Sequence, residues 1–576
     1  MQRSSNIQGL RAIAVGAVVL FHAGFLPGGY VGVDIFYVIS GFLITTLILK
    51  DEKFSFVNFY NRRAKRLLPA SFLVLIVTAL GFWFLAPKMM RPQFAKDLLA
   101  STWYVSNYLY AHWQNDYQNL GANPSALIHY WSLAVEEQFY LFWPLILVAT
   151  RKHIRFSIPL IGISSFLLSL YLVKVSPIFA FYSLPTRAFE LAIGALLAIF
   201  SYRSLSLFTS WLGLIAISIS FFIFDSHTAF PALPALLPTL GSLLIVASQR
   251  NNFLLTNDVF QKVGDWSYSI YLWHWPLLVI PGLYLQRPLT IMEKLEAISA
   301  CILLSILTYK FVETPLRKID WKPARTAKIA LGTGALISLS TTLFANASAP
   351  FDLSAIREQP IIYKDGCHLD KQATKPNMNC IYGEKTATRN VVLFGDSHAA
   401  QWFPALDLWA KKRGYKLYVM TKSSCPAIDF NLKDLGAFKA DICNQFRQNA
   451  LKEIATLRTS LLIIGNFEHY EGLRINTDNL NVLRNYPVLI LRDTPWPNRD
   501  IPVCITTKAN CDTAKPKFFD YGTLPTFDPI PLLCNKKCPA KVDGLVAYRD
   551  QTHITVAMAI KLSDALGRKL DTLVAR

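Results

Sequence analysis

Charged side chains are scarce in this chain of 576 residues. Asp, Glu, Lys and Arg make up 17% of it, and 52% of the residues are hydrophobic. Soluble proteins carry roughly 25% charged residues, so an ordinary soluble protein is excluded. Acidic residues are the scarcer sign, 38 against 58 basic, a net charge of +20. Cysteine is nearly absent from the first two thirds, where Cys301 stands alone before Cys367. The first apolar run ends in Pro27-Gly28-Gly29 without a small-residue cleavage site, so it reads as a span and not as a removable signal.

What is present is a series of long apolar runs. Eleven are expected to cross a membrane: residues 10–27, 30–49, 68–86, 131–150, 156–174, 185–200, 207–224, 230–247, 268–286, 294–311 and 328–347. A helix needs roughly 17–25 residues to cross about 30 Å of hydrocarbon. The run 185–200 is short, and 230–247 carries Pro231, Pro234 and Pro238. Buried core helices of a soluble protein would not recur in such succession. From about Pro350 onward the chain reads as an ordinary globular domain.

The basic excess is explained by its placement. With the N-terminus in the cytoplasm, inner segments hold eighteen Lys and Arg, including Arg3, Lys50, Arg62, Arg63, Arg66, Arg203 and Arg317, and outer loops hold six. This is the positive-inside bias, not a nucleic-acid surface, and no nucleic-acid partner is expected. Eleven crossings then put everything after Ala347 outside. Eight cysteines fall in that outer segment, an even set that suits disulfides of an oxidising compartment. Cys534-x3-Cys538 loosely resembles a zinc half-site, but no second pair stands at zinc spacing, and no metal is expected. Pairing between sequence neighbours is the starting expectation for the disulfides.

In the outer segment Val391 to Phe394 reads as a buried strand. It ends at Gly395-Asp396-Ser397-His398, and a helical pattern follows from Ala399. A serine there stands at a helix N-terminus, where unpaired N–H groups favour developing negative charge; plain capping by Asp396 or Ser397 is the alternative. Near the end of the chain, Asp550-Gln551-Thr552-His553 sets a carboxylate three positions before an imidazole. A carboxylate that fixes a histidine tautomer makes that histidine a general base.

These two blocks resemble the first and last signature blocks of the SGNH hydrolase superfamily. The resemblance implies an α/β/α three-layer fold with Ser397 as nucleophile, His553 as its base, Asp550 as the orienting acid and Asp396 as scaffold. The middle blocks, which supply a glycine and an asparagine to the oxyanion hole, match poorly. Leu461 to Phe467 is a strand ending in Gly465-Asn466 without the Gly-x-Asn-Asp spacing, and Ser423-Ser424-Cys425-Pro426 has no glycine. The oxyanion candidates are the Ser397 N–H and Asn466.

The first apolar run holds Arg11 and, eleven residues on, His22. Eleven residues are close to three helical turns, so both side chains share a face about 16 Å apart along the axis. Ionisable residues within a membrane usually mark a functional pathway; a snorkelling anchor for Arg11 and an interhelical hydrogen bond for His22 are the plainer readings. Gly9 to Val15, His22 and Gly32 to Ile44 together resemble the opening of the membrane acyltransferase-3 family. The resemblance continues through Phe59-Tyr60-Asn61-Arg62-Arg63-Ala64-Lys65-Arg66, Trp131 to Tyr140, Ser267 to His274 and Phe311-Val312-Glu313-Thr314-Pro315.

That resemblance implies a bacterial inner-membrane, multi-pass O-acyltransferase with a periplasmic C-terminal domain. Its fold would be an all-α membrane domain of about ten helices over residues 1–320, one further span and linker over 321–350, and the SGNH-like domain over 351–576. An acyl group, acetyl foremost, would pass from cytoplasmic acetyl-CoA, a donor substrate and not a bound cofactor, to a hydroxyl of an envelope polysaccharide or lipid-linked glycan. Lipopolysaccharide O-antigen is the first expectation; peptidoglycan and exported oligosaccharide are the alternatives. Arg11 and His22 are the implied catalytic pair, Arg62, Arg63 and Arg66 the donor-binding cluster, and Glu136 and Glu137 membrane-site candidates, with His129, His274 and Glu313 behind them. Membrane lipids are the other partner. Two rival readings are an esterase that trims acetylated glycan and a transporter whose path is lined by the intramembrane Arg and His. Hydropathy shows no inverted repeat, which disfavours the transporter.

Overall fold

A computed structural model describes residues 5–112, 124–200, 205–226, 228–248, 250–285, 287–345, 353–370, 372–430, 437–469, 485–497, 499–506, 510–516 and 519–574. Arg3, Arg203 and the last two residues of the run 328–347 lie outside them. The chain forms two compact units, Met1–Ser348 and Ala349–Arg576.

The first unit is helical, and each of the eleven expected runs falls on a helix. Among the described residues, six helical stretches are long and apolar enough to cross a membrane: Gly29–Lys50, Phe56–Leu85, Tyr130–Ala149, Arg151–Val175, Ile291–Lys318 and Pro323–Ala345. Leu207–Ile223 and Ala232–Ser248 are apolar but shorter. The others fall short for visible reasons. Ser5–His22 carries Asn6, Gln8 and Arg11, Leu184–Ile199 has 16 residues and carries Arg187 and Glu190, and Asp258–Leu285 carries His274, Pro276 and Pro281 among its tryptophans and tyrosines. Large apolar side chains such as Phe84, Phe156, Phe222 and Leu336 stand exposed on this unit, as lipid-facing surfaces require.

Helices Gly32–Lys50 and Leu184–Ile199 approach closely because glycine lies on both. A methyl group on Gly41 would sit 1.9 Å from the Leu191 carbonyl oxygen, and one on Gly194 would sit 2.1 Å from that of Val38. Small residues at a crossing let helix backbones touch in a membrane protein. A buried ion triad pins the same pair: Arg187 Nη1 lies 2.9 Å from Asp34 Oδ1 and 2.7 Å from Glu190 Oε1. The guanidinium sits among the rings of Phe230, Phe181, Trp131 and Tyr37.

The second unit is built on a sheet of β1 (His368–Leu369), β2 (Ile381–Gly383), β3 (Asn390–Gly395), β4 (Lys416–Lys422), β5 (Thr459–Gly465), β6 (Val488–Leu491) and β7 (Thr526–Phe527). The order is β1-β4-β3-β5-β6-β7, all parallel, with β2 antiparallel on β4. Alternate residues of each strand feed opposite cores. Leu393, Val419, Ile463 and Leu489 pack with Leu406, Leu566 and Leu570 of helices Phe403–Arg413 and Ser563–Val574. Phe394, Met420, Ile464 and Ile490 pack with Phe446, Ala450 and Ile454 of helix Ala437–Thr456. The result is three layers, α/β/α. From β3 the chain moves to β4 on one side and then returns to β5 on the other. A crevice at the carboxyl ends of such a switch point is where open α/β sheets bind ligands, and Ser397 lies there.

The eight cysteines of the second unit pair as sequence neighbours: Cys367–Cys380, Cys425–Cys443, Cys504–Cys511 and Cys534–Cys538. Cys301 is a buried free thiol.

Candidate active sites

Strand β3 can end as it does only because glycine is there. Gly395 has φ +147°, and a methyl group on it would lie 1.9 Å from the carbonyl oxygen of Gly465, its register partner on β5. The next residue, Asp396, uses its carboxylate on the backbone. It accepts from His398 N–H at 2.8 Å and from Phe467 N–H at 2.9 Å, tying the turn after β3 to the turn after β5. Ser397 then opens the helical turn Ser397–Ala400, where its N–H has no acceptor within the helix.

Asp550 holds the His553 segment through three contacts, two of them to His553 itself. Asp550 Oδ1 accepts from the Thr552 and His553 N–H groups at 2.7 and 2.8 Å, and Oδ2 accepts from His553 Nδ1 at 2.8 Å. Burial works against the Asp550 charge, but the His553 hydrogen bond and the two backbone donors outweigh it and hold the carboxyl below its usual range. Burial pushes the His553 ring down to about 4, and the nearby His398 adds to that fall. With the proton on Nδ1 the lone pair is on Nε2, which is buried and has no hydrogen-bond partner among the described residues. It makes no bond to Ser397 Oγ; contacts of this kind often tighten only when substrate binds. Gln401, one turn after Ser397, accepts from Ile554 N–H at 2.9 Å and so fastens the His553 segment to the serine helix.

Asn466 follows β5. Its Oδ1 accepts from Ala427 N–H at 2.7 Å, which fixes the amide, and its Nδ2 is buried without a partner. The chain after β4 turns through Ser424 at φ +55°, a left-handed conformation that usually calls for glycine. Sequence reasoning missed Gln401 and a second imidazole–carboxylate pair: His398 Nδ1 lies 2.6 Å from Asp493 Oδ1, and both side chains are buried. Neither has a motif, because each partner arrives on a separate element.

In the helical unit Arg11, Arg63, Arg66, Glu136, Ser40, Tyr140 and Tyr271 line one cavity. Ser40 and Tyr140 both donate to Glu136, and Arg63 lies over the Tyr140 ring, 4.6 Å from its centroid. Arg62 is exposed and does not line this cavity. Glu137 faces a neighbouring one with Arg63 and Tyr104. Glu313 accepts from Ser269 at 3.3 Å.

His22 is one end of a histidine cluster. His274 Nδ1 lies 2.6 Å from the Tyr271 carbonyl oxygen, which can only accept, so that nitrogen carries the proton. His274 Nε2 is then an acceptor for His22 Nδ1 at 2.9 Å. It follows that neutral His22 holds its lone pair on Nε2. His129 packs beside His274 with ring centroids 5.4 Å apart. Tyr271 links the two places: it lines the cavity, its carbonyl orients His274, and its hydroxyl meets Ser132 Oγ at 2.5 Å.

The fold and the sites define a chain with two chemical units, a helical one with a buried arginine–carboxylate cavity and a three-layer one with a serine beside an Asp–His pair. The sequence profile described as "Acyltransferase domain" matches residues 4–310, more than half of the chain, and that described as "SGNH domain (fused to AT3 domains)" matches residues 366–568. The chain belongs to this family of membrane acyltransferases with a fused SGNH domain. Relatives include a peptidoglycan O-acetyltransferase of Listeria monocytogenes, 33% identical over 54% of this chain and 56% of its own length. A putative peptidoglycan O-acetyltransferase of Bacillus subtilis is 31% identical over 54% of this chain and 54% of its own length. The chain thus spans little more than half of each. Among solved structures, the periplasmic domain of a Salmonella ser. Paratyphi A lipopolysaccharide acetyltransferase is 16% identical, covers 38% of this chain and 98% of its own length, and has a TM-score of 0.28.

Proposed function

We propose that the chain is an inner-membrane O-acyltransferase that moves an acetyl group from cytoplasmic acetyl-CoA to a hydroxyl of a cell-envelope glycan. The observation that carries this reading is the Asp550–His553 pair standing with Ser397 at the switch point of a parallel sheet, on a chain of the acyltransferase family. The phosphates of the donor suit the cavity lined by Arg11, Arg63 and Arg66, and Arg62 is left out of it. His22 serves the membrane step through the lone pair on Nε2, and Glu136 and Glu137 shape the acceptor side.

In the outer step Ser397 Oγ attacks the acyl carbonyl while His553 Nε2 takes its proton. The oxyanion is met by the Ser397 N–H and Asn466 Nδ2, and the proton passes to the leaving group. A glycan hydroxyl then gives its proton to His553 and takes the acyl group, while the bond from the acyl carbon to Ser397 Oγ breaks and His553 returns the proton to Oγ. The N-terminus lies in the cytoplasm and the second unit in the periplasm, in keeping with the distribution of Lys and Arg and with the four disulfides. The names of the relatives favour peptidoglycan as the acceptor over lipopolysaccharide O-antigen.

The test is glycan acetyl content, measured by mass spectrometry on both peptidoglycan and lipopolysaccharide from cells with the chain, without it, or with Ser397→Ala or His22→Ala. Both variants are expected to lose the modification. Full acetylation by His22→Ala would remove the membrane step, full acetylation by Ser397→Ala would remove the relay, and the glycan that changes identifies the acceptor.

A further inference from the structure

We infer that His398 and Asp493 form a second histidine–aspartate pair that holds a fixed positive charge against the His553 ring and keeps that ring in its neutral, proton-accepting form. The inference rests on the reading of Ser397 and His553 as nucleophile and base. His398 is the residue after Ser397, so the turn that presents the serine also delivers this imidazole. Its Nδ1 lies 2.6 Å from Asp493 Oδ1, with only 4% of the His398 side chain and none of the Asp493 side chain exposed. Asp493 is committed to its charged form by its other partners: it accepts from Thr494 N–H at 2.7 Å and from Glu468 N–H at 2.9 Å. The His398 and His553 rings lie 4.6 Å apart, centroid to centroid, tilted by 34°. Each ring has its own carboxylate, Asp493 for one and Asp550 for the other, and no hydrogen bond between the two rings is present.

The groups facing this centre come from every element around it. His368 lies on β1, Asp396 lies on the same turn, Glu468 and His469 follow β5, and Asp493 follows β6. Asp550, Arg549 and His553 come from the C-terminal segment. His398 gains charge from Asp493, Asp396 and Asp550 against the cost of burial, which raises its pKa above the usual imidazole value. Of the pair it is His398, and not Asp493, that meets the His553 ring, so the positive member is the one that acts on it. A charge at that distance shifts a neighbour by about a pH unit or more at an effective dielectric near 20. His398 is therefore a positioning residue: it acts through His553 and not on the acyl group.

The experiment uses the full chain in detergent, wild type and His398→Gln, with Asp493→Asn as the variant that discharges His398 without changing its shape. Two readouts are taken: titration of the His553 ring by histidine-selective NMR, and the pH profile of Ser397-dependent p-nitrophenyl acetate hydrolysis with a Ser397→Ala blank. His398→Gln is expected to move the His553 titration, and with it the acid limb of the profile, up by at least one pH unit; Asp493→Asn moves both the same way by less. A His553 titration that stays put in the variants overturns the inference and leaves the pair a structural tie, even if the rate falls at every pH. Should His398→Gln fail to fold, Asp493→Asn decides by the same criterion. A wild type that shows no Ser397-dependent turnover would overturn the reading of the triad, while the NMR titration still decides the role of His398.

Discussion

Asp550→Asn is expected to be more damaging to acyl transfer than Asp550→Ala, although asparagine is the closer isostere. The carboxylate takes two backbone donors on Oδ1 and the ring Nδ1–H on Oδ2. An asparagine has one oxygen. If that oxygen keeps the Thr552 and His553 N–H groups, which together outweigh a single ring contact, the amide NH2 faces His553 Nδ1 and donates to it. The ring proton is then driven to Nε2, the nitrogen that must accept from Ser397. Inversion of the tautomer in a serine triad costs about 10⁴ in rate, or roughly 5.5 kcal/mol at 1.36 kcal/mol per decade. An alanine leaves the ring without an orienting partner but able to adopt either tautomer, so its loss should be smaller by about tenfold. The assay is Ser397-dependent ester hydrolysis by the purified full chain, with acetyl content of the glycan as its cellular counterpart. An Asp550→Asn variant with more than a tenth of wild-type activity, or one better than Asp550→Ala, would refute the reasoning.

Three further outcomes are expected. His274→Leu should lower glycan acetylation on the order of 10²-fold, whereas His274→Gln, which restores an acceptor near the Nε2 position, should retain most of it; equal losses would show that His274 only fills space. Arg187→Leu should destabilise the helical unit by about 3–5 kcal/mol in denaturant melts in detergent, because Asp34 and Glu190 are left as uncompensated buried charges. Adding Asp34→Asn and Glu190→Gln should recover most of that loss. His368, which bonds Thr421 and Ser423, is pushed down to about 3 by burial, with His553 and Arg549 adding to the fall. Its folded value lies below the unfolded one near 6.5, so the stability present above pH 6.5 is lost as pH falls toward 3. The drop in Tm between pH 7 and pH 4 should therefore shrink in His368→Gln; an unchanged drop would place the acid sensitivity elsewhere.

The serine site was half legible in the sequence, and the half that could be read is the half made locally. Gly395 to His398 and Asp550 to His553 each bring their chemistry within four residues, so a short motif carries both the turn and the reactive groups. The rest is assembled by the sheet. Asp493 reaches His398 because β6 ends level with β5, and Gln401 reaches the His553 segment because the helical turn after β3 points that way. Neither follows from any spacing along the chain. The missing oxyanion glycine illustrates the same point from the other side. The composition of Ser423-Ser424-Cys425-Pro426 argued against a glycine-like turn there, yet Ser424 takes the left-handed backbone, in a segment held by the Cys425–Cys443 disulfide. A crosslink can impose locally what residue type alone would not favour.

In the helical unit the signal was present but was read one residue at a time. Every ionisable group within an apolar run is costly, so Asp34, Arg187 and Glu190 were conspicuous on the same grounds as Arg11 and His22. Partner choice is what a single run cannot give. Arg11 and His22 share a helix and one face, yet the structure takes them to different surroundings. Arg11 meets Arg66 and Glu136 across the cavity, while His22 meets His274 one turn beyond the cavity-lining Tyr271. The helical repeat fixes how far apart two side chains stand along one axis. Which neighbours they meet depends on how Ser5–His22 lies against Asp258–Leu285, and that is set by a close backbone contact of Gly264 on Gln8, where a methyl group would come within 2.1 Å of a carbonyl oxygen; Gly9 packs as closely, at 2.2 Å, on Leu255 of the preceding helix Phe253–Thr256. Gly9 stands in a motif, but Gly264 does not, and the contact it allows helps to decide which histidine orients His22.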